Sequence, residues 1–230
     1  MGTHTTSRPW DYQLPKDGTP AGNAALQHFV GDFLTVTGDT RLLWLARLAS
    51  TTTVTDLSLN GRTCTEGATL AGRLTAQGSG VLAAYNGTSD YASVPDAANL
   101  SFGTGAADLA FSIIVWASIP DTAAERLLVI KGNATNTANS EYQLSVSGAD
   151  VLNLYLVDAS AVVRPLRESN AAITMGAMHM FAATYNGGGG ATAASGIILY
   201  QDAAVIDSTA TEQATYVAME DGTRPLGLGA

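Results

Sequence analysis

The sequence predicts an all-β, antiparallel sandwich preceded by an extended N-terminal arm. Three observations carry this. Apolar and β-branched runs of four to twelve residues recur from Arg41 to the C-terminus. Turn residues (Asn186-Gly187, Ser147-Gly148, Gly132, the Gly187–Gly190 run) separate them at short spacing. No helical period appears after Arg41, and many short strands between turns read as a sandwich or jelly roll.

The elements follow in order. LLWLARLA (42–49) is an apolar first strand, leading into the turn-rich TTTVTDLSLNGRT. GVLAAYNGTSDYASVP (80–95) reads as strand, Asn-Gly turn and strand, the strongest short hairpin signal. LAFSIIVWASIP (109–120) is apolar on both faces and is expected to be a central strand with Trp116 in the core. RLLVIKG (126–132), EYQLSVSG (141–148) and VLNLYLVD (151–158) follow. In the last, Leu152, Leu154 and Leu156 oppose Val151, Asn153, Tyr155 and Val157. HMFAATYN (179–186), GIILYQD (196–202) and AAVIDSTA (203–210) complete the run, with Gly187–Gly190 as a flexible, solvated hairpin tip.

Residues 1–40 differ. Pro9, Pro15 and Pro20 interrupt regular structure, and AALQHFV (24–30) offers one short helix between an Asn23 cap and Gly31. Two regions are therefore expected: an arm or anchor over 1–40 and the sandwich over 41–230.

Composition narrows function. Of 230 residues, 46% are hydrophobic and 13% charged, enough to bury a core. Net charge is −9 and no basic cluster exists, which argues against nucleic acid and against anionic membranes. Cys64 is the lone cysteine, so no internal disulfide or cysteine-based zinc site can form, and a buried thiol is expected. The N-terminal stretch has no apolar signal-peptide core, and no stretch is long enough to span a bilayer as a helix.

Several segments together are similar to one family pattern, the laminin-G-like jelly rolls of the concanavalin A-like lectin and glucanase superfamily. AAYNGTSDYASVPDAANLSFG resembles its aromatic, Asp-Tyr, Val-Pro and Leu-Ser-Phe-Gly succession. FSIIVWASIP resembles its Trp-bearing strand. MGAMHMFAATYNG resembles its Ala-x-Thr-Tyr strand, with Met178 where Trp is usual, and GIILYQDAAVID resembles its Leu-Tyr-x-Asp-Gly hairpin, with Ala203 in place of Gly. The resemblance covers about residues 41–230. It implies a final strand that should begin where the chain ends, at RPLGLGA. Either the chain is a fragment lacking that strand, or the strand is supplied by the N-terminal arm or a neighbouring chain, and the edge is expected to be filled.

The resemblance also implies where catalysis or ions would sit. Glucanases of the superfamily use a Glu-x-Asp-x-(x)-Glu strand. None of the six Glu here (66, 125, 141, 168, 212, 220) forms it, so no catalytic residue is assigned and no enzyme is expected. His4, His28 and His179 lack metal spacing, and His179 reads as a half-buried structural residue. Calcium is the one plausible ion. Asp56 and Asn60, in Asp56-Leu-Ser58-Leu-Asn60-Gly61, are its candidate ligands against the alternative of an Asx turn that only shapes the loop. Asp90 and Asp202 read as turn formers. Tyr85, Tyr91, Tyr142, Tyr155, Tyr185, Tyr200 and Tyr216 are candidate sugar platforms.

The leading expectation is a non-enzymatic structural or decoration protein of a tailed-phage virion, assembled in the host cytoplasm, anchored by its arm to capsid or tail subunits and forming a symmetric homo-oligomer. The alternative is a carbohydrate-binding adhesion module that contacts host-surface glycans.

Overall fold

The computed structural model describes residues 53–55, 60, 62–66, 74–77, 80–86, 90–121, 123–133 and 139–229. The expected arm, the 24–30 helix and the 42–49 strand lie outside them. The chain divides into two compact units, Met1–Arg62 with Thr69–Ala84 and Thr63–Ala68 with Tyr85–Ala230.

In the first unit, β1 spans Thr53–Thr55, and β3 (Leu74–Gln77) pairs antiparallel with β4 (Gly80–Ala83). The Gln77↔Gly80 register makes this pair a tight hairpin.

The second unit is the sandwich. Its strands are β2 (Thr63–Glu66), β5 (Ala92–Val94), β6 (Phe111–Ser118), β7 (Arg126–Lys131), β8 (Tyr142–Val146), β9 (Leu152–Leu156), β10 (Leu166–Ser169), β11 (Met178–Tyr185), β12 (Ile197–Gln201), β13 (Ala204–Val205), β14 (Ser208–Thr211) and β15 (Leu226–Leu228). One sheet runs β2-β5-β15-β7-β8-β9-β10-β14 and the other β13-β12-β11-β6, with neighbouring strands antiparallel throughout. The only helical segments described are short 3-10 turns at Ala98–Leu100 and Gly190–Gly196. No helix among the described residues is long and apolar enough to cross a membrane.

Period-two alternation builds the core. Leu144 lies opposite Leu154, and Leu152, Leu154 and Leu156 are fully buried. From the smaller sheet Phe181, Ala183, Ile197 and Leu199 are buried as well, on alternate positions of β11 and β12. Phe111 stacks on Phe102 at 4.6 Å and meets Tyr185 edge-on at 5.7 Å, closing one end of the core.

Three expectations are corrected. β6 is not a central strand: among the described residues it ends the four-stranded sheet, and Trp116 is 66% exposed. Its alternate positions, led by buried Phe111, face the core, so Trp116 falls on the other side. Nor is 80–95 one hairpin. β4 pairs with β3, β5 pairs with β2 and β15, and Asn86 and Asp90 bond each other's backbone N–H across the Asn-Gly turn. The closing strand, finally, is the chain's own. Within RPLGLGA, Leu226–Leu228 form β15, which lies between β5 and β7. Three residues suffice because Gly227, between Ser93 and Ile130, has no side chain to clash: a Cβ there would sit 3.1 Å from Ile130.

The Gly187–Gly190 run is docked rather than free. Gly187 has φ of 76°, and a Cβ there would come within 2.5 Å of the Ala110 nitrogen. Gly189 N–H donates to the Tyr185 hydroxyl (2.8 Å), and Gly190 N–H donates to the Val217 carbonyl (2.8 Å).

Candidate functional site

Polar side chains gather in three places in the sandwich. Two are internal fastenings. Asp108, nearly buried, accepts from the Tyr185 hydroxyl (2.7 Å), the Tyr216 hydroxyl (2.8 Å) and Met219 N–H (2.8 Å). Burial and the Asp108 carboxylate hold both tyrosines well above the ordinary phenol range. The second fastening is Lys131, fully buried, whose ammonium has four oxygens around it: Asp96 (2.6 Å), Glu141 (3.0 Å) and the carbonyls of Gly222 (3.2 Å) and Arg224 (2.6 Å). Glu141 also accepts from Ser101 Oγ (3.0 Å) and Gly222 N–H (3.1 Å). Burial pushes its carboxyl above the usual range, against the pull of Lys131. These contacts tie the segment before β15 to β7 and β8.

The third cluster lies on the side of the larger sheet turned away from the Leu152–Leu154–Leu156 core, where Tyr155, Glu125 and Arg164 reach solvent. Outward positions of β8 and β9 are Gln143, Ser145, Asn153 and Tyr155, with Gln143 opposite Tyr155 and Ser145 opposite Asn153. A solvated sheet face would leave such residues exposed. Here Gln143 is 4% exposed, and Ser145 and Asn153 are 0%. Gln143 Nε2 donates to Glu125 Oε1 (2.8 Å) and Ser145 Oγ (3.2 Å). The Ser145 hydroxyl lies 2.9 Å from Glu125 Oε1 and 2.5 Å from Asn153 Oδ1, and its single proton serves one at a time. The Arg164 guanidinium sits 4.3 Å over the Tyr155 ring, with Nη2 3.5 Å from Gln143 Oε1. Burial raises the Tyr155 phenol, Arg164 opposes this, and Glu125 and Glu168 add to it. Among the described residues, Asn153 Nδ2 and Arg164 Nε are buried with no hydrogen-bond partner. A small cavity opens beside the cluster, lined by Ile130, Asn133, Ser140, Tyr142, Gln143, Val157 and Arg164.

The loop that presents Arg164 is fixed in place. Asp158 and Val163 form an isolated bridge. Asp158 accepts from Ser160 Oγ (2.9 Å) and Ala161 N–H (2.8 Å) through Oδ1, and from Val217 N–H (3.0 Å) through Oδ2. Burial opposes ionisation of Asp158, and these bonds outweigh it, holding the carboxyl below its ordinary value. Glu220 accepts from the Ala159 and Ser160 N–H groups. Pro165 keeps Arg164 extended as the chain enters β10.

Asp56 is outside the described residues, and Asn60 is exposed in a turn. Among the described residues no three His, Cys, Asp or Glu side chains group as metal ligands. Cys64 is buried. His179 is half-buried and its Nδ1 lies 2.7 Å from Asp202, which shapes the β12–β13 turn with a φ of 51°. Of the seven tyrosines, Tyr155 is brought into the outward cluster, whereas Tyr142, Tyr185 and Tyr216 are core residues. Sequence reasoning missed Glu125, Gln143, Ser145 and Arg164. The available signal was a pair of adjacent strands with polar residues on alternate positions opposite leucines.

No family model matches the chain, and no curated protein does either. Solved structures match in fold. Botulinum neurotoxin type C, described as depending for cell entry on two ganglioside molecules, aligns at TM-score 0.54 and 12% identity over 85% of this chain and 44% of its own. The binding domain of botulinum neurotoxin DC, in complex with rat synaptotagmin II, aligns at 0.50 and 12%, over 81% and 43%. The CBM40 of the Ruminococcus gnavus IT-sialidase, bound to α2,3-sialyllactose, aligns at 0.39 and 14%, over 55% and 65%. This chain thus spans less than two thirds of each of these proteins. What it shares with the two neurotoxins is the jelly-roll-like β-sandwich.

Proposed function

We propose that this chain is a non-catalytic glycan-binding module, and that its binding face is the outward cluster on β8 and β9. The observation that carries the reading is the mixture of groups on that face. Amide, hydroxyl, carboxylate and guanidinium groups surround the half-exposed Tyr155 ring, and Asn153 Nδ2 and Arg164 Nε hold donor capacity with no internal partner. Sugars need this combination: hydrogen-bonding groups of both kinds for the hydroxyls and an aromatic surface for the apolar face of the ring. The exposed Glu125 bridges Gln143 and Ser145, so a sugar hydroxyl that displaces its carboxylate would inherit the Gln143 amide donor, with the Ser145 hydroxyl shared between it and Asn153. The type C neurotoxin, which shares the fold, is described as interacting with gangliosides, in keeping with this reading.

The test is a glycan array probed with the full chain, repeated with calcium and with a chelator, followed by calorimetry on any hit. Tyr155→Ala and Arg164→Gln should each weaken binding by about tenfold or more. Calcium at Asp56 and Asn60 is a separate proposal, which loss of binding on chelation would support. An array blank in both conditions overturns the glycan reading. It would turn attention to virion decoration. Retention on a phage capsid or tail is the corresponding assay.

A further inference from the structure

The smaller sheet has an outer face of a different character. Phe181, Ala183, Tyr185, Ile197 and Leu199 point to the core, so the alternate positions point out. Cross-strand register groups them in rows. Trp116 lies opposite Met180, Ile114 opposite Ala182, Ala182 opposite Tyr200, and Tyr200 opposite Val205. Trp116 is 66% exposed, Ile114 57% and Val205 67%. Monomeric proteins seldom leave this many large apolar side chains contiguous in water.

Two properties identify the occupant. The first is charge. The outward positions of β6, β11, β12 and β13 carry no Asp, Glu, Lys or Arg, although the chain as a whole has a net charge of −9. A basic or acidic partner would find nothing to pair with here. A second copy of the chain would meet no like charge, whereas on a charged face two copies of an acidic protein repel. The second is the scarcity of hydrogen-bonding groups. Outward side-chain hydroxyls on β6 and β11 occur only near the strand ends, at Ser112, Ser118 and Thr184, and β12 adds Tyr200, so the aromatic platform lacks the full polar ring a sugar requires.

We infer that this face is a self-association surface on which a second copy of the chain docks, Trp116 against its counterpart's sheet. With a strand spacing of ~4.8 Å and a rise of ~3.3 Å per residue, the four strands offer roughly 400 Å² per copy. Stable interfaces bury about 800 Å² per partner, so the dimer is weak and depends on concentration. Among the described residues β6 is an edge strand, uncharged and proline-free, and its pairing with β11 runs without a bulge, a feature that favours close approach of another copy. The glycan face lies on the other sheet and stays open in such a dimer.

The test is sedimentation velocity of the full chain over a series from low to high micromolar. Wild type should shift from monomer toward dimer, whereas Trp116→Glu should stay monomeric throughout and Val205→Glu should move the transition to higher concentration. Both sites are solvent-facing, and matching thermal melts would confirm that the variants fold. A wild type that is monomeric at every concentration overturns the inference, whether residues 1–52 or a foreign protein cover the face. So does a dimer that Trp116→Glu leaves intact. Glycan affinity on monovalent sugars should be equal in wild type and Trp116→Glu, which separates this surface from the one proposed above.

Discussion

Raising the pH should unfold this protein through two named side chains. Tyr185 and Tyr216 are each 2% exposed, and both donate to one carboxylate oxygen of Asp108. Burial and the Asp108 charge raise both phenols far above their unfolded value. In the unfolded chain each loses its proton near pH ~10, whereas the native state keeps it. Above that pH the native state therefore binds more protons than the unfolded one, and stability falls as pH rises. Each tyrosine contributes a slope of ~1.4 kcal/mol per pH unit, or ~2.7 kcal/mol for the pair. Total stabilities of ~5–15 kcal/mol leave room for only a few units of such loss. Urea titrations from pH ~8 to ~11.5 would measure the slope, and absorbance of tyrosinate would count the phenols that stay protonated in the native state. In the Tyr185→Phe/Tyr216→Phe variant the slope should drop by about that ~2.7 kcal/mol per unit. Equal slopes in wild type and variant, or native-state titration of all eight tyrosines near pH ~10, would refute the reasoning.

Other outcomes follow from separate parts of the fold. Ala203 holds a φ of 66° in the β12–β13 turn, where an L side chain costs ~1–2 kcal/mol, so Ala203→Gly should stabilise by ~0.5–1 kcal/mol after the entropy of glycine is subtracted, read as a Tm rise of about 2–3 °C. Lys131→Met removes the cation paired with the buried Glu141 carboxylate and should cost ~3–5 kcal/mol in urea unfolding, with part of that recovered in Lys131→Met/Glu141→Gln. Asn153→Leu should abolish glycan binding yet leave thermal stability within ~1 kcal/mol, because it removes an unpaired amide nitrogen along with the Ser145 contact.

The β-sandwich was legible because it is written in a local code. Leu152, Leu154 and Leu156 alternate with Asn153 and Tyr155, and that alternation alone places two faces. Strand order was not legible. β6 reads as central because both its faces are apolar, but the sequence does not distinguish apolar residues that meet a core from those that meet solvent or another molecule. Nor could three residues at the C-terminus advertise that they lie between β5 and β7, since the partners are over 100 residues away for β5 and nearly as far for β7. The outward cluster was half visible. Asn153 and Tyr155 share a strand face by period, whereas Gln143, Glu125 and Arg164 join them only through cross-strand register and a loop fixed by Asp158.

The two outer faces of the sandwich divide the chemistry between them. One presents paired and half-paired polar groups around Tyr155. The other presents Trp116, Ile114 and Val205 with no charge. A single shallow sugar site of this kind binds weakly, because few sugar contacts are buried and each ordered side chain costs entropy. Two copies joined through the smaller sheets would carry two such sites on opposite outer surfaces, so one dimer bridges two glycan-bearing surfaces and gains no avidity on one. Trp116→Glu should therefore leave binding to a free sugar and retention on a single glycan-coated surface unchanged while it abolishes cross-linking. Agglutination of glycan-coated beads at micromolar protein measures this, and equal agglutination by wild type and variant would show that the two faces act independently.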